Sequence, residues 1–344
     1  MSSEILTLTA YFIERERSND RFLADEMLAL LDDRSIAASV LLRGIAGFGL
    51  TNVALSDRSL SLAEDAPVTI SAVDHPERIL ALNDALTAMT NRGVFTLQRG
   101  RELPSAPTEN PAEVRLSLYL GRKHRVAGAH GYVAVCDVLH RLGFAGAEVL
   151  LGVDGTVAGQ RRRARFFGSN SDVPLLVTGV GTAAQTAAAV DELRPILADP
   201  LYTIDQIRVC KIHGKTLATP AELAGAGAIQ KLTVRTAEDT LSGGQPIHRE
   251  LIQRLKESDH ASGATVLRGI WGYLGAERPH GDRFLQLARH VPVSTVIIDT
   301  AANIAASYAI VDELTEHHGM VTCEAVSAML ALHDGQSVGS LKLG

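Results

Sequence analysis

One motif occurs three times in this chain at an almost constant spacing, and this repeat constrains the possible fold more than any other feature. The segment LLRGIAGFG in the first third returns in the last third as VLRGIWGYLG and, in a weaker form, in the middle as LLGVDGTVAG. A proline-led apolar strand follows each motif, and its proline lies 23, 22 and 23 residues after Gly44, Gly152 and Gly269, respectively. Because two separate landmarks keep the same register, the chain is predicted to contain three copies of one unit.

Each copy alternates between strand-like and helical hydrophobic periods in a fixed order. In the first copy, residues 6–13, 38–45, 67–73 and 94–97 favour strands, whereas the apolar positions in 23–31 and 79–89 follow helical spacing. The order βαββαβ, with right-handed crossovers in each half, predicts a four-stranded antiparallel sheet that carries both helices on one face. The predicted fold is therefore α+β, with three tandem ferredoxin-like units at residues 1–103, 112–214 and 229–332.

The segments between the copies are typical of linkers. Residues 103–111 are rich in proline, and residues 214–228 are rich in alanine, glycine and threonine. The tail after Leu332 is expected to fray.

The composition restricts the classes of function. With 33 Lys and Arg against 39 Asp and Glu, the net charge is −6, which gives no general attraction to phosphate backbones or anionic lipid. An aromatic content of 4% is low for a surface that stacks single-stranded bases, so nucleic-acid binding is not expected. No apolar run reaches the roughly 18 residues of a membrane span, and the N-terminus has no leader pattern, so a cytoplasmic protein is expected.

The motif L-R-G-I-x-G at the end of the second strand, followed by a polar excursion and a Pro-Val strand, resembles the PII-like family long catalogued as a domain of unknown function. Copies one and three keep the motif intact around Gly44 and Gly269. Copy two departs from it, because Leu151 replaces the arginine. The resemblance covers most of the chain, three times over.

The resemblance implies that single-unit relatives form trimers, with their sheets packed inward and small ligands, usually adenine nucleotides, in the clefts between neighbours. The excursion corresponds to a T-loop that docks on a target protein. Three fused copies are then expected to form the same ring within one chain, as a monomeric pseudo-trimer. Only Asn91-Arg92-Gly93 and His318-Gly319 stand where PII proteins carry a long phosphate-binding loop, so a nucleotide smaller than ATP, or none, is expected.

The motif also supplies the candidate ligand-binding residues. Glycines can expose backbone N–H groups and let a ligand approach the main chain, and an arginine can hold a phosphate or carboxylate through two N–H groups. The alternative is a bent hairpin in which glycine serves geometry alone and arginine pairs with a surface acid. The candidates are Arg43, Gly44, Gly47, Gly49, Gly152, Arg268, Gly269 and Gly272.

The excursions carry the candidate partner contacts. An Asp-Arg pair lies 13 and 14 residues after the landmark glycine in copies one and three, and copy two has a dense basic stretch instead. These side chains either contact a partner or a phosphate group, or are simply solvated. The candidates are Asp57, Arg58, Asp282 and Arg283, together with Arg161, Arg162 and Arg163 in copy two.

Other patterns are not expected to carry chemistry. The run that starts at Gly179 is similar to a dinucleotide-binding fingerprint. The repeat register, however, places this run between the third strand and the second helix of copy two, so a local anion site at the start of that helix is expected rather than a dinucleotide site. The HGKT segment at His213 lacks the earlier glycine of a P-loop. The three cysteines are far apart, so no metal site is expected. No catalytic set recurs at equivalent positions, so an enzyme is not expected.

Together these patterns favour a non-enzymatic PII-like signalling protein that binds a small anionic effector, such as an adenine nucleotide, in the clefts between copies. It would act through its excursions on a protein partner, with a membrane transporter among the candidates. The alternative is a structural interaction module without a ligand. No cofactor is expected, and because copy two has lost its arginine, any effector is expected to occupy fewer than three clefts.

Overall fold

The computed structural model describes residues 4–49, 54–56, 66–103, 113–164, 173–197, 200–220, 228–281 and 290–343 of the chain. Copy one opens and closes with a long strand. Its elements are β1 (Glu4–Ile13), β2 (Arg17–Ser18), β3 (Arg21–Phe22), α1 (Leu23–Asp33), β4 (Ala38–Arg43), β5 (Ala46–Phe48), β6 (Ala54–Ser56), β7 (Pro67–Asp74), α2 (Pro76–Leu80), α3 (Asn83–Met89) and β8 (Arg92–Glu102).

Copies two and three repeat this plan, and each adds strands at its C-terminal end. The elements of copy two are β9 (Glu113–Gly121), β10 (Arg125–Val126), β11 (Ala129–His130), α4 (Gly131–Arg141), β12 (Gly146–Leu151), β13 (Thr156–Val157), β14 (Gln160–Arg161), β15 (Pro174–Thr182), α5 (Ala183–Leu193), β16 (Leu201–Gln206), β17 (Arg208–Ile212) and β18 (Lys215–Thr216). Those of copy three are β19 (Ile229–Ala237), β20 (Leu241–Ser242), β21 (Gln245–Pro246), α6 (Ile247–Ser258), β22 (Ala264–Arg268), β23 (Trp271–Leu274), β24 (His280–Gly281), β25 (Pro292–Thr300), α7 (Ala301–Leu314), β26 (Met320–Val326), β27 (Ala328–His333) and β28 (Gln336–Ser340).

Four long strands form the sheet of each copy in the same order, in which the first strand lies between the third and the fourth and the second lies at the edge. This order is β4-β7-β1-β8 in copy one, β12-β15-β9-β16 in copy two and β22-β25-β19-β26 in copy three, and all neighbours are antiparallel. Strands and helices follow one another as predicted, except that the second helix of copy one is split into α2 and α3.

The helices of each copy cover one face of its sheet because their apolar side chains recur at helical spacing. In α1, for example, Leu23, Met27 and Leu31 are buried on one face. Each copy has its own core between helices and sheet. The opposite sheet faces meet in a separate apolar cluster that draws on all three copies, including Val40, Leu150 and Leu267. None of the helices in the described parts of the chain is long and apolar enough to cross a membrane.

A short strand that follows the second strand of each copy crosses to a neighbouring copy. β5 of copy one pairs with β22 of copy three, β23 of copy three pairs with β12 of copy two, and β13 of copy two pairs with β4 of copy one. The exchange therefore runs from copy one to three, from three to two and from two back to one. It covers the second-strand edge of every copy, where unpaired backbone groups would otherwise be exposed.

The fourth-strand edges are joined in the opposite direction around the ring. The end of β8 pairs with β16 of copy two, β17 pairs with β26 of copy three, and β27 pairs with β8 of copy one. Both sets of pairings return to the copy from which they start. The three copies thus close into a ring within one chain, built on a 14-stranded and an 8-stranded sheet.

The C-terminal tail forms a hairpin, and the predicted fraying after Leu332 is wrong. β27 and β28 pair in antiparallel fashion, and Leu341 beyond them is buried in the core of copy one. The side-chain amide of Asn83 donates a hydrogen bond to the carbonyl oxygen of Leu341 over 3.0 Å. The tail is held by a surface of copy one that is remote in sequence, so its own polar composition does not reveal the packing.

Candidate functional site

The first glycine of the motif lies where the chain leaves its own sheet. In each copy the N–H group of this glycine donates to the carbonyl oxygen of the proline that opens the third strand; the pairs are Gly44 with Pro67 at 2.7 Å, Gly152 with Pro174 at 2.9 Å, and Gly269 with Pro292 at 2.8 Å. The N–H group of the next residue donates to the second strand of the neighbouring copy, over 2.9, 3.0 and 2.8 Å. The N–H group of the first motif glycine is therefore used within its own copy, and the N–H group of the next residue joins two copies.

A second glycine, three residues later, lies where the neighbouring copy leaves no space for a side chain. A Cβ atom on Gly47 would lie 2.6 Å from the carbonyl oxygen of Ala264, well inside van der Waals contact. A Cβ atom on Gly155 or Gly272 would overlap a carbonyl oxygen in the same way, and both glycines have a positive φ, of 149° and 153°. The carbonyl oxygens concerned belong to Ser39 and Ala147. No described atom lies within 4 Å of a Cβ placed on Gly49.

The two motif arginines each face an acid that follows the first strand of the same copy. The Nη2 atom of Arg43 donates to Glu14 over 2.8 Å, and Arg268 lies 3.5 Å from Glu238. In copy two, Leu151 packs against the hydrophobic core in place of the arginine. The Arg43 pair is about half exposed, so it contributes at most about 1 kcal/mol to stability.

The basic stretch of copy two contacts the first helix of copy one. Arg161 lies 2.7 Å from Asp154 of its own loop and 3.3 Å from Asp25 in α1, and Arg163 lies 3.1 Å from Asp25. The hydrogen bond with Asp154 raises the pKa of Arg161, so this guanidinium stays charged. Arg162 instead donates to Gln160 over 2.8 Å. The other loop candidates, Asp57, Arg58, Asp282 and Arg283, lie outside the described residues.

A cleft of about 400 Å³ opens between copies one and two at this contact. Four arginines and three acids line it, so positive charge exceeds negative charge by one. Arg21 and Arg163 are largely exposed, at 77% and 61%. The guanidinium of Arg17 lies 5.1 Å from the centre of the Phe22 ring. Such a lining offers N–H donors to a phosphate and a ring face to a flat group. The lining residues are Arg17, Asp20, Arg21, Phe22, Asp25, Glu26, Ala29, Arg161 and Arg163.

A charged cluster is buried where the three sheets meet. Arg115 of copy two lies 3.0 Å from Asp205 and also pairs with Glu324 of copy three. Lys231 of copy three lies 2.8 Å from Glu324 and donates to Gln98 of copy one over 2.6 Å. The cluster joins all three copies with two positive and two negative groups.

All four charged groups have altered pKa values. Burial alone would lower the pKa of Arg115, but the charges of Glu324 and Asp205 outweigh burial and raise it. Burial alone would raise the pKa of Glu324, but the charges of Arg115 and Lys231 outweigh burial and lower it to about 2. Burial raises the pKa of Asp205 even though Arg115 opposes this. Burial, followed by the charge of Arg115, lowers the pKa of Lys231 to about 8.

Sequence reasoning missed this cluster, although a signal was present. Arg115 and Lys231 occupy equivalent positions in the first strands of copies two and three, where the first copy has Thr7. Charged residues inside otherwise apolar strands are rarely buried unless they are paired. Their recurrence at one position could have indicated a shared buried network.

Three further side chains converge at the base of the excursion of copy three. The ligand atoms of Glu277, His280 and His290 all lie within 4.8 Å of one another, although the sequence predicts no metal site. His290 also contacts Asp239, which follows the first strand of that copy. The spacing Glu-x2-His-x9-His is only a weak signal in the sequence, because the excursion separates the two histidines.

Comparison with known proteins extends over all three copies. The family model DUF190, described as "Uncharacterized ACR", matches residues 5–101, 113–209 and 229–328. A UPF0166 protein from Aquifex aeolicus (strain VF5) is 32% identical over 99 residues, which cover 28% of this chain and 90% of that protein, so it corresponds in length to about one copy.

Two solved structures show only weak similarity to the chain. An anthrone oxidase-like protein matches 60% of this chain and 93% of its own, with 11% identity and a TM-score of 0.18. The glycopeptide hexose oxidase DBV29, complexed with teicoplanin, matches 82% of this chain and 55% of its own, with 13% identity and a TM-score of 0.15. Both TM-scores are too low to support an argument about fold or function.

Proposed function

Because the chain belongs to the uncharacterised family DUF190 and carries its domain three times, we propose that it is a PII-like regulatory protein that binds a small anionic effector in a cleft between copies. The strand order of each copy, with the first strand between the third and the fourth, supports a ferredoxin-like unit. The closed cycle of strand exchange supports a pseudo-trimer within one chain.

The cleft between copies one and two is the observation on which the effector proposal rests. Its arginines come from both copies, from the β2–β3 hairpin of copy one and the loop base of copy two. A phosphate group held between Arg17 and Arg163 would therefore bridge two copies. Ligand binding in the cleft would then influence the position of the copy-two excursion, as regulation of a partner through that excursion requires.

The protein acts, in this proposal, without catalysis and through a protein partner, for which a membrane transporter is one candidate. The cytoplasmic location expected from the sequence belongs to the same proposal. An adenine nucleotide smaller than ATP is the first effector to test, because only short glycine-containing turns precede the fourth strands of copies one and three.

A structural interaction module without a ligand is the second candidate. It is favoured by the use of the motif glycines in strand exchange and by the pairing of Arg43 with Glu14. On this alternative, the motif exists to close the ring, and the cleft arginines only stabilise the contact between copies.

A thermal-shift series with AMP, ADP and inorganic phosphate separates the two candidates. We expect a nucleotide to raise the melting temperature of the parent protein, since a ligand at about 100 times Kd adds about 2.7 kcal/mol of stability. We expect the double variant Arg17→Ala, Arg163→Ala to lose this shift, with an affinity loss of about 1.5–3 kcal/mol for each charge-assisted hydrogen bond removed.

Two comparison variants locate the effector. Arg43→Ala combined with Arg268→Ala tests the site predicted from the motif, and Arg141→Ala removes an exposed arginine that pairs with Glu192 on the surface of copy two. A shift that survives in the Arg17, Arg163 variant but disappears in the Arg43, Arg268 variant would move the effector to the motif. No shift of the parent protein with any of these ligands would favour the module without a ligand.

A further inference from the structure

We propose that Glu277, His280 and His290 form a zinc site at the base of the excursion of copy three, with Asp239 orienting His290. The three side chains offer two imidazole nitrogens and one carboxylate oxygen, and all three ligand atoms lie within 4.8 Å of one another. Zn²⁺ favours this set of ligand types, and three protein ligands leave a fourth position for water. The site is separate from the cleft between copies one and two and does not depend on the proposed effector.

The hydrogen bonds of the two imidazole rings leave the same nitrogen of each ring available to a metal. The Nδ1 atom of His280 lies 2.8 Å from the carbonyl oxygen of Arg278, and the Nδ1 atom of His290 lies 2.6 Å from Asp239. An N–H group at each Nδ1 therefore donates to oxygen, and the lone pair of each neutral ring is at Nε2. Histidine ligands in metal sites are commonly oriented by such a second contact to a carboxylate or carbonyl oxygen.

The distance between His290 and Glu277 fits two ligands of a tetrahedral ion. The Nε2 atom of His290 lies 3.4 Å from a carboxylate oxygen of Glu277. Two ligand atoms bound to zinc at about 2.0–2.1 Å in tetrahedral geometry are about 3.4 Å apart. The rings of His280 and His290 are stacked, with their centres 4.8 Å apart and an angle of 24° between their planes. The ligand atom of His280 lies within 4.8 Å of the other two, and the proposed site requires it to move to the tetrahedral spacing. Glu277 and His290 are about half exposed, which gives an ion access from solvent.

The site is specific to copy three. The first strands end in register, with Ile13, Gly121 and Ala237 each opposite the proline that opens the third strand. Two residues later, copy three has Asp239, whereas the other two copies have a cation, Arg15 or Lys123. A cation at this position cannot accept a hydrogen bond from an imidazole N–H group, so the orienting contact exists in one copy of the ring.

Zinc binding can be measured on the full chain, purified without a histidine tag, by competition with a chromophoric chelator. We expect one zinc ion per chain for the parent protein and a loss of affinity of more than about 100-fold for the triple variant Glu277→Ala, His280→Ala, His290→Ala. His260→Ala is the matched control, since His260 is an exposed histidine that follows α6 in the same copy, and it should bind zinc like the parent. Co²⁺ in place of Zn²⁺ should give the visible absorption of a tetrahedral ion in the parent and the control alone.

Asp239 is tested as a positioning residue. Asp239→Ala should weaken zinc binding by about 10- to 100-fold, and Asp239→Asn, which keeps an acceptor oxygen, should recover part of the loss. Thermal unfolding without metal is compared for every variant; if the triple variant does not fold, the single variant His280→Ala replaces it. Equal zinc affinity in the parent and in the ligand variants, or the absence of stoichiometric zinc from the parent, would overturn the proposal. Binding that is unchanged by Asp239→Ala would overturn the orienting role of Asp239.

Discussion

Glu324 is expected to give this protein a marked loss of stability in acid. Its carboxylate is 4% exposed and contacts both Arg115 and Lys231, so the charged form is stabilised only in the folded ring. Because the pKa of Glu324 is lowered to about 2 in the folded state, this carboxylate stays charged there at pH values at which it is already protonated in the unfolded chain. The resulting stability is present above the unfolded value of 4.5 and is lost as the pH falls towards 2.

The size of this effect follows from the two pKa values. The interval from 4.5 to about 2, at about 1.4 kcal/mol per pH unit, corresponds to about 3 kcal/mol. Asp205 acts in the opposite direction, because its raised pKa lets the folded state bind a proton before the unfolded state does. The acid loss of the parent protein is therefore smaller than the contribution of Glu324 alone, and the comparison with a variant isolates that contribution.

The assay is urea unfolding of the parent and Glu324→Gln between pH 7 and pH 2, followed by circular dichroism. Glutamine keeps the shape of the protonated acid, so the two proteins should differ by about 3 kcal/mol more at pH 7 than at pH 2. Glu316→Gln serves as the control, because Glu316 is an exposed residue after α7, and its substitution should leave the pH profile unchanged. A constant difference between the parent and Glu324→Gln across this range would refute the assignment of the acid response to the buried cluster.

Three other outcomes follow from the closed ring. Gly155→Ala should destabilise the protein by about 2–5 kcal/mol, because the methyl group would overlap the backbone of copy one and the positive φ disfavours alanine. Urea unfolding measures this loss. Gly121→Ala is the control and should cost less than about 1 kcal/mol, because its Cβ meets no described atom within 4 Å. Light scattering should give the 36.7 kDa mass of one chain, and a stable assembly of three chains would count against ring closure within the chain. Truncation after Asp334 should lower the melting temperature, because it removes β28 and exposes the site of Leu341 in the core of copy one; an unchanged melting temperature would mean that the hairpin contributes nothing to that core.

The sequence by itself determined the repeat and the elements inside each copy. Two landmarks at constant spacing, Gly44 to Pro67 and its equivalents, could be read without coordinates, and hydrophobic periods of 2 and 3.6 marked the strands and helices. These features are local, because side-chain alternation and helix faces depend on residues only a few positions apart. The motif glycines were therefore recognised as special, but the reason for their presence was left open between a ligand and backbone geometry.

Only the tertiary structure decided which copy each element contacts. The carbonyl oxygen that excludes a side chain at Gly272 belongs to copy two, and the acid that pairs with Lys231 also binds Arg115 from another copy. Such contacts join residues more than 80 positions apart, so no local period encodes them. The burial of Leu341 in the core of copy one arises in the same way, since it depends on how distant strands are brought together by the closing of sheets and the packing of cores.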